Sequence, residues 1–140
     1  MLVFAPENPP IDDRLLQVRE IRRLHLNASL VTLSACDTGV GPVGEEGVAD
    51  IVNAFIEAGA QSVVSTLWAI DDQATAKLMI NFYWQLGRGA SKADALRQAQ
   101  IEMMKSGEPP YYWAGFELDG EPSNGLFDRT AEYLSHRSSR

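Results

Sequence analysis

With a single cysteine, the 140-residue sequence can form neither an intramolecular disulfide nor a multi-cysteine zinc site. Histidine is almost as scarce: His25 and His136 lie far apart along the chain and suggest no metal pair. No stretch is apolar enough to cross a bilayer, because Asn53 and Glu57 interrupt the best helical segment and Ser62 and Ser65 interrupt the best strand. The opening Met-Leu-Val-Phe-Ala reaches Pro6 too soon for a secretory signal. Basic surface is lacking as well. The 12 Lys and Arg residues are scattered among 19 Asp and Glu, giving a net charge of -7, and such a surface repels nucleic acid phosphates and anionic lipid. These absences predict a soluble cytoplasmic protein with no metal, cofactor, nucleic-acid or membrane partner.

The sequence does have enough apolar residues, 45%, for one packed domain. Three short runs rich in β-branched or aromatic residues predict strands at Leu30 to Ala35, Ser62 to Trp68 and Trp113 to Leu118. Helical patterns separate them. Val48, Ile51, Val52, Phe55 and Ile56 recur at helical spacing before Gly59, and Leu78, Met79, Phe82, Tyr83 and Leu86 do so before Gly87 and Gly89. Ser91 opens another helix with Asp94 three residues on, and Gly107 with Pro109 and Pro110 closes it. A weaker pattern predicts a helix over Ile11 to Leu24, and the chain turns polar from Asp119. Strands alternating with helices imply parallel crossovers, so the expected fold class is α/β, a mainly parallel sheet covered on both faces.

Ligands of an open α/β sheet bind beyond the carboxyl ends of its strands, and Cys36 directly follows the strand Leu30 to Ala35. The glycine-rich stretch Gly39 to Gly47 comes next; it lets a substrate backbone pass close to a thiol, and the Cys36 amide is available to an oxyanion. Against this stands the commoner role of a lone cysteine as a small buried hydrophobe. Asp37 also disfavours a thiolate, so activation needs a base from elsewhere in the fold. His25 precedes the strand, about 20 Å from its far end at about 3.3 Å per residue, out of reach of Cys36. His136 belongs to the tail. Gly39-Val40-Gly41-Pro42-Val43-Gly44 matches a dinucleotide-binding pattern, but the turn before it is too long. Glu45 and Glu46 also place carboxylates where a pyrophosphate docks.

Leu30-Val31-Thr32-Leu33-Ser34-Ala35-Cys36-Asp37-Thr38-Gly39, followed by Gly44-Glu45-Glu46-Gly47, resembles the nucleophile segment of CHAT domains, relatives of caspases and separases. The resemblance continues in order through Ala54 to Ala60, Val63 to Asp72, Phe82-Tyr83, Lys92 to Gln100 and Tyr111 to Phe116. It implies a partial caspase-like, Rossmann-like three-layer sandwich in which Cys36 is the attacking thiol of a cysteine endopeptidase acting on a protein or peptide substrate. The family's histidine base lies in a His-Gly motif upstream of the cysteine segment; no His-Gly occurs in this sequence. The expectation is therefore an inactive fragment or a shortened domain. Residues 1–29 form a connecting segment and helix, 30–118 the C-terminal part of the peptidase domain, and 119–140 a polar tail.

The resemblance further implies that Asp72, or failing it Asp71, lines a pocket for a basic residue before the scissile bond; an Asp at a helix start is also a common N-cap. Trp68, Tyr83 and Trp113 are candidates for a substrate groove. Upstream regulatory repeats, usual in CHAT proteins, are expected partners. So is a second copy of the chain, since loss of the histidine strand leaves Leu30 to Ala35 on an exposed sheet edge. A non-catalytic interaction module is the rival expectation.

Overall fold

The computed structural model describes residues 2–3, 15–33 and 47–126. In chain order they form β1 (Leu2–Val3), β2 (Leu15–Leu16), α1 (Val18–Ile21), β3 (Val31–Thr32), α2 (Val48–Glu57), β4 (Ser62–Thr66), α3 (Asp72–Gly87), α4 (Lys92–Lys105), a 3-10 turn (Pro110–Tyr112) and β5 (Phe116–Gly120).

β4 is the centre of a three-stranded sheet in the order β3-β4-β5. Its register sets both neighbours: Thr32 lies beside Val64 in a parallel pair, and Glu117 beside Ser65 in an antiparallel one. The fold is thus α/β, but its third strand departs from the expected parallel order. The predicted run began at Trp113; instead the chain turns there, and pairing starts at Phe116. The short 3-10 connection after α4 leads straight back along β4, which an antiparallel strand permits and a parallel one does not. β1 and β2 form a separate antiparallel pair. Of the predicted helix over Ile11 to Leu24, residues 11–14 lie outside the described residues; in the rest only the single turn of α1 is helical, because Leu15–Leu16 pairs as a strand and Gln17 is extended at φ -88° and ψ 154°.

Alternation along β4 sends its side chains to two cores. Val63 packs on one face with Val18 and Ile21 of α1 and Ile51, Val52 and Phe55 of α2. Val64 packs on the other with Leu78, Phe82 and Leu86 of α3 and Leu96, Ala99 and Met103 of α4. Helices therefore cover both faces. Fully buried Phe82, Leu78 and Leu86 recur at i, i+4 and i+8 on α3, and burying each contributes roughly 2 kcal/mol. Ala95 and Ala99, both fully buried, let α4 approach α3 closely. Gly59 ends α2 with φ +112°, and a Cβ there would collide with the Leu26 carbonyl, so the approach to β3 requires glycine.

Candidate active site

Because β3 and β4 are parallel, the chain leaves both at one edge of the sheet, through Leu33 and Thr66. This is the edge where an open α/β sheet receives ligands. Cys36, the Gly39 to Gly44 pattern and His136 lie outside the described residues. In sequence, Cys36 follows Thr32 by the same interval as Trp68 follows Val64, the register partner of Thr32. His25 is exposed and precedes Ala28, whose bridge to Ala60 stands at the opposite end of the sheet.

The two candidate specificity carboxylates sit at the start of α3. Asp71 is its N-cap: Oδ1 accepts the Ala74 amide at 2.6 Å. Asp72 begins the helix proper, and both residues are exposed. Of the two, Asp71 borders a cleft of about 270 Å³ lined also by Gln73, Ala74, Lys77, Glu108 and Tyr112. Among the described residues no group of His, Cys, Asp and Glu is arranged to hold a metal ion.

The loop from β4 to α3 is fastened to the segment after α4. Trp68 Nε1 donates to the Tyr111 carbonyl at 2.8 Å, Tyr111 Oη donates to the Ala69 carbonyl at 2.6 Å, and the two rings stack with centroids 6.1 Å apart. Beneath them the Leu67 amide donates to the Gly115 carbonyl at 2.8 Å. Gly115 is glycine for a steric reason, since a Cβ there would lie 2.7 Å from Trp68 Cε2. The Asp71 loop is therefore held by side-chain and backbone bonds rather than left free.

The other predicted aromatics divide. Tyr83 is exposed and its Oη shares a 2.6 Å hydrogen bond with Thr32 Oγ1 at the end of β3. Trp113 is half-buried against the α3–α4 core and donates to the Glu108 carbonyl at 2.9 Å, so it is a packing residue. Lys77 and Glu108 carry no signal of a site in the sequence, and Tyr111 and Tyr112 stand out there only within the run Tyr111 to Phe116 that resembles CHAT domains.

Comparison with known proteins gives the family. Tetratricopeptide repeat protein 28 of Mus musculus is 31% identical over 136 residues, 91% of this chain and 6% of that protein, and its Homo sapiens counterpart matches to the same extent. The chain thus spans about 6% of the length of these curated relatives. Among the described residues, no helix is long and apolar enough to cross a membrane. The family model of the CHAT domain matches residues 1–121, most of the sequence, and the chain belongs to the CHAT domain family.

Proposed function

We propose that this chain supplies the nucleophile-bearing part of a CHAT-type cysteine endopeptidase of caspase-like fold. Residues 30–118 are the peptidase segment, 1–29 lead into it and 119–140 form a tail. What supports this is family membership combined with sequence order: Ser34-Ala35-Cys36-Asp37-Thr38-Gly39 comes in sequence just after β3 and Leu33, and ligands of an open α/β sheet bind beyond the carboxyl ends of its strands. The Cys36 thiolate attacks the scissile carbonyl carbon, and the Cys36 amide helps hold the oxyanion. The peptide C–N bond then breaks, the protonated base delivers its proton to the leaving amine, and water releases the acyl group. The base is a histidine from outside this sequence, carried by a strand that extends the sheet, mainly in parallel, beyond β3. Asp71 and Asp72 select a basic residue before the scissile bond. Helical repeats of the kind named in the relatives regulate the domain.

A non-catalytic interaction module is the second reading. The exposure of Leu67, Trp68 and Tyr111 at the same sheet edge supports it.

Affinity labelling separates the two. Peptidyl chloromethyl ketones ending in arginine should alkylate Cys36 in the native chain faster than the aspartyl analogue, and Cys36→Ala should take up neither. The chain by itself should leave basic fluorogenic peptides intact for want of a base. A Cys36 inert to both ketones, or labelled by both at one rate, would favour the interaction module.

A further inference from the structure

The cleft beside Asp71 already contains a cation. Lys77 Nζ lies 3.0 Å from Glu108 Oε1 and 3.3 Å from Ser106 Oγ, so an α3 side chain is tied to the turn that follows α4. Two carboxylate residues from different elements, Asp71 and Glu108, share this cleft of about 270 Å³ with Ala74 and Tyr112. Asp71 Oδ1 is engaged by the Ala74 amide.

We infer that Lys77 is a specificity determinant of this cleft, an internal cation that occupies Glu108 until the cationic side chain of a bound peptide displaces it. The inference rests on the peptide-binding reading above and adds Glu108, Lys77 and Tyr112 to the residues that choose the substrate. The aliphatic stem of an incoming arginine lies along Ala74 and Tyr112, where a guanidinium also meets the ring face. Its planar fork presents donors in two directions and bridges the Asp71 and Glu108 carboxylates, whereas a lysine ammonium is a point charge that serves one of them well. Glu108 is available because its present partner is exchangeable: the side chains of the Lys77–Glu108 pair are 51% and 32% exposed, and ion pairs so open to water are weak. With Lys77 in place the cleft carries one net negative charge. It therefore admits a single cation and discriminates against peptides with an acidic residue at that position.

The test uses the full chain and a short acetylated peptide amide ending in arginine, with lysine and citrulline analogues, titrated by heteronuclear NMR. Arginine should bind most tightly and citrulline least, with shifts at Asp71, Glu108 and Tyr112. Lys77→Met should tighten arginine binding roughly fivefold, and Glu108→Gln should weaken it roughly fivefold. Asp71→Asn should also weaken it while keeping the helix cap, since Asn caps as well as Asp. Thermal melts confirm that each variant is folded. Citrulline binding equal to arginine, no binding at all, or weaker binding in Lys77→Met overturns the inference. A peptidase failure looks different: the arginine peptide then binds with the expected variant pattern while Cys36 stays unlabelled by either ketone. Arginyl-ketone labelling that is indifferent to Lys77→Met and Glu108→Gln leaves the peptidase reading standing and sinks this one.

Discussion

Lys92 Nζ lies 3.0 Å from Ser62 Oγ at a point where neither side chain is exposed. Ser62 in turn donates to the Glu121 carbonyl at 2.5 Å. One hydroxyl thus joins the start of α4, the start of β4 and the residue after β5. The arrangement sits at the opposite end of β4 from the candidate active site and acts on the stability of the fold.

Burial pushes the Lys92 ammonium below its ordinary pKa of 10.5, against the opposing attraction of the Glu121 carboxylate. The unfolded chain therefore holds this proton more tightly than the folded one. Below the folded pKa both states are protonated and the cost of burying the charge is complete. Above about 10.5 neither is, and the cost disappears. Stability attributable to Lys92 should rise with pH across the interval between the two, and Lys92→Met should remove that rise in denaturant midpoints. At neutral pH the Met variant should be as stable as the parent or more so, by about 1 kcal/mol. Ser62→Ala should instead cost about 3 kcal/mol, because it strands both the buried cation and the Glu121 carbonyl. A Lys92→Met variant with an unchanged pH profile would show that the ammonium is not the source of the dependence.

Gly115 carries the aromatic latch. Alanine there would meet Trp68 Cε2 at 2.7 Å and Cζ2 at 2.9 Å, so the indole must move and lose its bond to the Tyr111 carbonyl. Gly115→Ala should cost roughly 1 to 3 kcal/mol by chemical denaturation and shift tryptophan emission to longer wavelength. In a Trp68→Ala background the same glycine change should cost little. Equal costs in both backgrounds would mean that Trp68 is not what the methyl meets.

The cap on α3 separates charge from hydrogen bonding. Asp71→Ala loses the acceptor for the Ala74 amide and should lower stability by about 1 kcal/mol, while Asp71→Asn should retain most of it. If the two variants melt together, the Oδ1 contact contributes nothing measurable and Asp71 is free to serve the cleft alone.

What the sequence conveyed follows from how local each signal is. The Ser91 cap, the Gly59 and Gly107 stops and the i, i+4 apolar stripes act within one or two turns, and α2, α3 and α4 appear where those signals put them. Strand direction is not local. Trp113 to Leu118 reads as apolar whichever way it runs, and the antiparallel course of β5 is decided by pairing with β4 across a distant part of the chain. The candidate site divides in the same way. Asp71 and Asp72 are adjacent in sequence and invite comparison as cap and ligand. The partnership of Lys77 with Glu108 joins residues brought together only by α3 packing on α4. Nothing local marks the burial of Lys92 either: it stands on the first turn of a helix, and only the fold buries it against Ser62.

The outer side of β3 is an open edge of the sheet among the described residues. The Leu33 amide donates to the Val64 carbonyl at 2.8 Å, and backbone groups alternate along a strand, so the Thr32 amide and carbonyl face away from β4. Among the described residues no strand pairs with that side of β3. In this chain alone, without the histidine-bearing strand proposed above to extend the sheet beyond β3, a second copy should take that place, because an unpaired edge without Pro or Lys templates β-pairing. A two-fold axis places Thr32 of one copy near Thr32 of the other in an antiparallel extension of the sheet. Sedimentation at micromolar concentration should then report a dimer. Thr32→Pro removes the one amide in β3 that points outward and leaves the bonds to Val64 in place, so it should give a folded monomer. Thr32→Val serves as the control: it also loses the bond to Tyr83 Oη but keeps the amide, and should remain dimeric. A parent chain that sediments as a monomer excludes this edge as a self-association surface. A Thr32→Pro variant that is folded and still dimeric moves the contact to another face.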